Sequence, residues 1–289
     1  MCDLLVIGGL GVDVRVRVPR LPLPVVDSVT VDPIELRVGN TGAGVVLAAH
    51  ALGLRVTVVD TVGVDPAGAV VRAALARTGV RAVLADDPAG TRRSVNLVDP
   101  GGRRMSLYDP RASDGPPPFA APRVAELIED ATHVHLSIMG WVRELLPDLA
   151  DVLSEGVGAS TDLHDWDGHN PYHRRFADVA ELVLVSGAAL GDRAAAVAGA
   201  LAPRPVLVTR GADGADLHLG RDVHRVPAAV PPGPVIDTNG AGDAFAAGII
   251  AARSRGATWL EAAGYASRVA AAACTHDGME YPPGLLPRD

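Results

Sequence analysis

The chain of 289 residues contains neither lysine nor glutamine, so each of its 26 basic side chains is an arginine. Without a lysine amine, Schiff-base chemistry is excluded, and so is the type of phosphate-binding loop that depends on a lysine. Richness in Ala, Arg, Gly and Pro accompanies these gaps and reads as codon bias, which makes the lysine loss neutral. It still constrains mechanism, because any phosphate handled here must be met by arginine, backbone N–H groups or a metal ion. Two cysteines, Cys2 and Cys274, are too few for a disulfide framework or a cysteine-rich zinc site. No apolar run is long enough to span a bilayer and no charged-then-apolar leader opens the chain, so a soluble, cytoplasmic protein without a membrane partner is expected. Acidic residues outnumber basic ones by 34 to 26, a net charge of −8 that disfavours a nucleic-acid partner. The length suits one domain over residues 1–289 with a substantial core.

What is present alternates between strand and helix signals. Leu4 to Gly9 is an apolar run ending in glycines, and Val14 to Val18 alternates as a strand with one wet face should. Gly44 to Leu52 reads as a helix stopped by Gly53, Val56 to Val59 as a strand, and Pro66 to Arg77 as a helix with proline in its first turn. The order implies a largely parallel, layered α/β sheet. Arg93 to Val98 and Arg104 to Tyr108 alternate around Asp99-Pro100-Gly101-Gly102, a hairpin turn that predicts a small sheet outside the main one. Pro116 to Pro118 marks a return connection. Alternation then resumes with Val134 to Ile138, Val142 to Leu153, Leu182 to Val185, Ala194 to Leu201 and Val206 to Thr209. Two alanine-rich helices, Ala244 to Arg255 and Trp259 to Thr275, close the chain. The expected fold is a three-layer α/β/α body carrying a β lid, with lid strands near residues 12–38 and 91–110.

The most informative stretch runs from Asp237 to Phe245, Asp-Thr-Asn-Gly-Ala-Gly-Asp-Ala-Phe. Small residues at 240–242 let backbone approach a ligand, and the helix they open aims unpaired N–H groups at it, an anion site that needs no lysine. An aspartate at that point repels phosphate. It makes sense as a base that takes the proton of an attacking hydroxyl while the N–H groups stabilise the transferring phosphoryl group. Spacing alone allows an ordinary helix start capped by Asp243 equally well.

Asp237 to Asp243 resembles the Asp-Thr-x-Gly-Ala-Gly-Asp signature of the ribokinase-like (pfkB-type) carbohydrate kinases. Further segments resemble that family in order along the chain. Gly39-Asn40-Thr41-Gly42-Ala43-Gly44 is similar to Gly-Gly-x-x-x-Asn before an alanine-rich helix, and Gly63-Val64-Asp65-Pro66-Ala67-Gly68 to its Gly-x-Asp-x-x-Gly turn. Thr209-Arg210-Gly211-Ala212-Asp213-Gly214 is similar to the Thr-x-Gly-x-x-Gly nucleotide loop, and Ala266 to Gly278 to the closing helix. The resemblance implies an ATP-dependent kinase that phosphorylates a hydroxymethyl group of a sugar or nucleoside. Asp243 would be the base, and the N–H groups of Gly240, Ala241 and Gly242 the anion hole. Thr209, Gly211 and Gly214 would lie along the nucleotide with Ser267 near the adenine, and Asp13, Gly39 and Asn40 would hold the acceptor. It further implies Mg²⁺, raises the question of a monovalent cation, and makes a homodimer through the lid plausible.

Three departures from the family pattern stand out. The Asn-x-x-Glu motif that organises Mg²⁺ is replaced by Ser186-Gly187-Ala188-Ala189, with Asp192 the nearest substitute in sequence. That loss motivates an alternative, a non-catalytic sugar- or nucleotide-binding regulator on the same fold, although such a binder has no evident need of Asp243. Gly44 stands in place of the asparagine of Gly-Gly-x-x-x-Asn, and Asn40 in place of its second glycine. The segment from Asp162 to His173 is unusually polar and aromatic, open to reading as a metal cluster, a substrate-pocket loop or a solvated loop. No other residues are assigned to a metal. Arg92, Arg93, Arg103 and Arg104 are expected to face solvent on the lid strands, with Arg104 also placed to close over substrate, and His133 and His135 to be packed residues rather than catalysts. A dinucleotide-dependent oxidoreductase, suggested by Gly8-Gly9-Leu10-Gly11, is rejected because Val14 to Val18 continues as strand where a helix should begin.

Overall fold

The first strand, β1 (Cys2–Ile7), sends its side chains alternately into two cores. Leu4 and Val6 enter one apolar cluster, Leu5 and Ile7 the other, as the two-residue period of a strand buried on both faces requires. The chain then leaves the body to form β2 (Gly11–Arg17) and β3 (Glu35–Gly39) before α1 (Thr41–Ala51) and β4 (Val56–Val62). It continues through α2 (Pro66–Thr78), β5 (Arg81–Asp86), β6 (Arg93–Val98), β7 (Arg104–Asp109), α3 (Ala121–Glu129), β8 (Ala131–Leu136) and α4 (Gly140–Ser154). The remainder comprises β9 (Gly158–Asp162), α5 (Pro171–Val179), β10 (Leu182–Ser186), α6 (Ala194–Gly199), β11 (Val206–Thr209), β12 (Ala215–Leu219), β13 (Asp222–Val226), α7 (Ala241–Ser254) and α8 (Trp259–Ala273). This computed structural model describes residues 1–288 except 112–115, 155, 156 and 189.

Nine strands form the main sheet in the order β13-β12-β11-β10-β9-β8-β1-β4-β5, parallel throughout apart from the antiparallel β12 and β13. Helices α1, α2, α7 and α8 pack on one face and α3 to α6 on the other, giving a three-layer α/β/α fold. The second sheet, β3-β2-β6-β7, pairs β2 with β6 in parallel and β6 with β7 as a hairpin. Helix α1 is buried from Gly42 through Ala49 and apolar on every side, as a helix wedged between sheet and helix must be.

Sequence reading misses β5, β12, β13, α3 and α5, while β3 falls within the lid strands expected near residues 12–38. Strand β5 is a half-exposed edge without clean alternation, and α5 (PYHRRFADV) buries only Phe176 and Ala177. Both glycine-bearing turns prove helical: α1 starts at Thr41 rather than Gly44, and α7 at Ala241 rather than Ala244. Packing of these first turns outweighs the weak helix propensity of glycine. Arg92 is a correction. It is not solvent-facing but 5% exposed, reaching Asp60 Oδ2 at 2.5 Å and the carbonyl oxygens of Leu10 and Thr61 at 3.1 and 3.0 Å. Asp60 is itself fully buried on β4.

Candidate active site

A cavity of about 1730 Å³ opens above the carboxyl ends of the parallel strands. Thr61, Asp86, Asp162, Ser186 and Thr209, at the ends of β4, β5, β9, β10 and β11, form its floor, the position where open α/β sheets bind ligands. Ser94, Arg104, Ser106 and Tyr108 of the second sheet line it as well, so that sheet covers part of the cavity.

Gly240 caps α7 with a left-handed backbone at φ 77°, and a Cβ there would lie 2.8 Å from the Met279 side chain. A larger residue there would take on left-handed backbone strain and have to push the Met279 side chain aside. Among the described residues, the N–H groups of Gly240, Gly242 and Asp243 have no protein acceptor, whereas Ala241 N–H turns back to Thr238 O at 3.3 Å. Free donors at a helix N-terminus opening on a cavity suit an anion, and Asp243 N–H is among them.

Beside those donors stands the Asp243 carboxyl. Burial pushes its pKa well above the usual carboxylate range, and the charges of Asp162 and Asp13 push the same way, while Arg104 opposes them. Its neighbour across the helix interface explains one departure in the sequence. A Cβ on Gly44 would lie 2.1 Å from Asp243 Oδ2 and 2.6 Å from its Cβ, so α1 and α7 approach too closely for an asparagine at 44.

Asp13 lies on β2, 8% exposed, and does not line the cavity wall; nor does Gly39. A Cβ on Gly39 would meet Asp13 Cγ at 2.3 Å, so glycine at 39 makes room for the carboxylate. Burial raises the Asp13 pKa, opposed by a hydrogen bond from Asn239 Nδ2 at 2.9 Å and by the charge of Arg104. Arg104 in turn donates to Asn239 Oδ1 at 2.8 Å, so the lid arginine reaches Asp13 through the signature asparagine. Asn40 does line the cavity, next to Thr41, and its Nδ2 and the Thr41 hydroxyl have no partner among the described residues. The three described non-glycine residues with left-handed backbones, Asn40 (φ 74°), Arg111 (φ 46°) and His164 (φ 52°), all line this cavity, the strain expected where function overrides local preference.

Further along the sheet, Thr209, Gly211, Gly214 and Ser267 line the same cavity with Ala228, Ala229 and Ala271, a narrow wall of small side chains suited to a planar base. Gly214 is forced by close approach, since a Cβ would meet Val226 O at 2.2 Å. The Ser267 hydroxyl donates to Pro227 O at 2.9 Å and accepts from Ala229 N–H at 2.8 Å, so it shapes the loop wall with its own bonds already made.

The polar segment divides. Asp162, His164, Asp165 and Tyr172 line the cavity, while Trp166 is buried and donates to Asn170 O at 3.0 Å. Among the described residues no group of three His, Cys, Asp or Glu side chains could hold a metal on its own. Asp192 is exposed on a short 3₁₀ turn and does not reach the cavity, and Ala189 lies outside the described residues. His133 and His135 share the Ser160 hydroxyl at 2.9 and 3.0 Å, and burial lowers their pKa values to about 3 and about 4, so both are neutral packing residues. Sequence reasoning left Asn239, Thr41 and Trp141 unassigned. Only Asn239 carried a signal, its place inside the signature.

Comparison with known proteins decides the family. The profile of the pfkB family carbohydrate kinases matches residues 176–283. An acarbose 7(IV)-phosphotransferase of an Actinoplanes species is 40% identical over 278 residues, 94% of this chain and 92% of the relative. The chain belongs to the pfkB carbohydrate kinase family. A second relative, an ATP-dependent ribose-1-phosphate kinase of Halopiger xanaduensis, is 30% identical over 90% of this chain and 86% of its own length. The microbiome-derived acarbose kinase Mak1 superposes with a TM-score of 0.86 at 42% identity, covering 96% of this chain and 95% of that one. Ribokinase of Giardia lamblia shares the fold at 18% identity, with a TM-score of 0.80 over 100% of this chain and 98% of that one. This pfkB chain is a sugar kinase that uses ATP, and nothing in these comparisons favours the binding-only alternative. No described helix is long and apolar enough to cross a membrane.

Proposed function

We propose that this pfkB kinase transfers the γ-phosphoryl group of ATP to a hydroxymethyl group of a multi-ring sugar such as acarbose, with Asp243 as the base. One observation carries the reading: Asp243, the free N–H groups of the α7 turn, and the small-residue slot from Thr209 to Ser267 face one continuous cavity. The volume, about 1730 Å³, exceeds the roughly 300–1,000 Å³ of an ordinary small-molecule pocket and leaves room for a nucleotide and an acceptor together. The likeness to the acarbose phosphotransferase supports the acceptor.

In this reading the acceptor O–H bond breaks as its proton passes to the Asp243 carboxylate, and the freed oxygen bonds to the γ-phosphorus. The bond from phosphorus to the ADP oxygen breaks in line. Charge on the phosphoryl oxygens is met by the N–H groups of Gly240, Gly242 and Asp243, since no lysine exists to meet it. Asn40 orients the acceptor from the cavity wall, with Asp13 and Asn239 behind it, and closure of the second sheet excludes water. Mg²⁺ supplies charge neutralisation at the phosphates. Bound there, it would draw most of its ligands from phosphate and water, with Asp162 the carboxylate on the cavity floor that would hold it.

The reading extends to residues 1–289 acting as one cytoplasmic kinase domain without a nucleic-acid partner, its monovalent-cation requirement tested by exchanging K⁺ for tetramethylammonium. It includes a homodimer through the lid, supported by the exposed apolar side chains Met105, Leu107 and Tyr108 on the edge strand β7. The test is ADP release with Mg²⁺-ATP against acarbose, single-ring sugars and nucleosides. Acarbose turnover that falls about 10²–10⁴-fold in Asp243→Asn supports the reading. Turnover retained in Asp243→Asn refutes the base, and turnover of nucleosides alone refutes the acceptor.

A further inference from the structure

Aromatic residues are 3% of the sequence, yet four of them, Tyr108, Trp141, Tyr172 and Phe245, line this one cavity. The polar atoms of two of them, Tyr172 and Trp141, are tied to neighbouring protein groups. The Tyr172 hydroxyl donates to Ile138 O at 2.8 Å, and the Arg143 guanidinium sits 4.6 Å from the Tyr172 ring centroid. Trp141, second residue of α4, donates its indole N–H to Asp60 Oδ1 at 3.1 Å and packs against Phe119 with ring centroids 5.5 Å apart.

The anchor of that indole is unusual. Asp60 is fully buried and also accepts from Leu10 N–H at 2.6 Å and from Arg92 at 2.5 Å, so Trp141 is held by a buried ion pair. Burying two opposite charges is a poor way to gain stability, because desolvation consumes most of the attraction. It is a good way to fix an orientation.

The sheet order gives the position. Thr209, on the nucleotide loop, ends β11, and Asp60 lies on β4, five strand positions away, roughly 24 Å at the usual spacing. Asp243 falls between them, packed on Gly44 of α1, whose first turn meets Gly9 just after β1. An acceptor ring beneath Asp243 therefore has Trp141 on the side away from the nucleotide. A pyranose presents apolar C–H faces and hydroxyl edges, which match an aromatic face in a cavity that is also lined by the carboxylates of Glu144 and Asp165.

We propose that Trp141 is the platform of a second acceptor subsite, stacking on the ring next to the one phosphorylated, and that the buried Arg92–Asp60 pair serves to hold its indole in place. This deepens the multi-ring acceptor reading and rests on it. The subsite is tested by calorimetric titration of maltotetraose and of glucose into the wild-type kinase, Trp141→Phe and Trp141→Ala, alongside acarbose kinetics. Maltotetraose affinity is expected to fall about tenfold or more in Trp141→Ala and to recover largely in Trp141→Phe. Glucose affinity and the KM for ATP stay unchanged, which also reports an intact fold. With acarbose, KM should rise by the same factor at constant kcat, the mark of lost binding away from the reacting centre. Equal maltotetraose binding by wild type and Trp141→Ala, or none by either, overturns the subsite whether or not acarbose is a substrate. Failure of the wild type to phosphorylate acarbose while Trp141-dependent maltotetraose binding persists overturns the acceptor alone.

Discussion

Replacing Gly44 by alanine sets two effects of opposite sign against each other. Glycine inside a helix costs about 0.5–1 kcal/mol relative to alanine, so on local grounds Gly44→Ala should stabilise α1. The new Cβ, however, would lie 2.1 Å from Asp243 Oδ2 and 2.6 Å from both Cβ and Cγ of that residue. Rotating the carboxylate relieves the first overlap but not that with Cβ, which is fixed to the α7 backbone. Ordinary van der Waals contact begins at 3.4 Å, so the helices must part, or Asp243 must shift, by about 1 Å. A displacement of that size at a reacting group costs about 10²-fold in rate. The expected result is kcat reduced about 100-fold with little change in the KM for ATP. Gly264→Ala, in α8 with nothing within 4 Å of the added Cβ, is the control. It should gain about 0.5–1 kcal/mol by chemical denaturation at wild-type kcat. A Gly44→Ala enzyme with wild-type kcat would refute the claim that this helix contact positions the base.

Three further outcomes follow from the same geometry. Because burial and the neighbouring carboxylates raise the Asp243 pKa, the acid limb of kcat/KM should lie above the ordinary carboxylate range, activity falling as pH drops through it; Arg104→Met, removing the opposing charge, should move that limb to higher pH. Arg92→Met strands the fully buried Asp60 without its cation and should cost about 3–5 kcal/mol in urea unfolding. Asp65 caps α2; burial pushes its pKa up, but hydrogen bonds from Thr91 and Gly68 outweigh that and hold it at about 2. Its contribution is therefore complete above pH 3.8 and lost as pH falls toward 2, so Asp65→Asn should flatten the stability–pH curve across that window.

The parts of this protein that could be read in one dimension are those whose cause is local. β1, β4, β10 and β11 announce themselves as apolar runs because both faces are buried, and the Asp237–Asp243 signature because glycine spacing and an aspartate coincide. What escaped depends on partners far along the chain. Arg92 looks like any edge-strand arginine until Asp60, thirty-two residues earlier, is brought against it. Trp166 sits in a polar run of Asp, His and Gly that local sequence leaves open between three readings, yet its ring is in the core. Ser267 lines the cavity, but its hydrogen bonds to Pro227 and Ala229 are written nowhere in the local sequence. Gly44 could be seen to depart from the family pattern, whereas its reason, contact with Asp243 from another helix, exists only in three dimensions.

The second sheet is moored unevenly. Arg15 on β2 pairs with Asp237 at the start of the signature and with Asp277 after α8, and Arg37 on β3 pairs with Asp277 at 2.8 Å. On the far side β7 has Arg104, an exposed side chain with one neutral hydrogen bond to Asn239. A sheet fastened along one margin and loosely latched along the other behaves as a page bound at its spine. Amide exchange should grow faster from β2 to β7, with the Arg15 margin among the last to open. The spine is tied to Asp237, six residues from the base, so a turning page transmits its motion to the signature through the Arg15 guanidinium, beside the hydrogen bonds that Asn239 makes with Asp13 and Arg104.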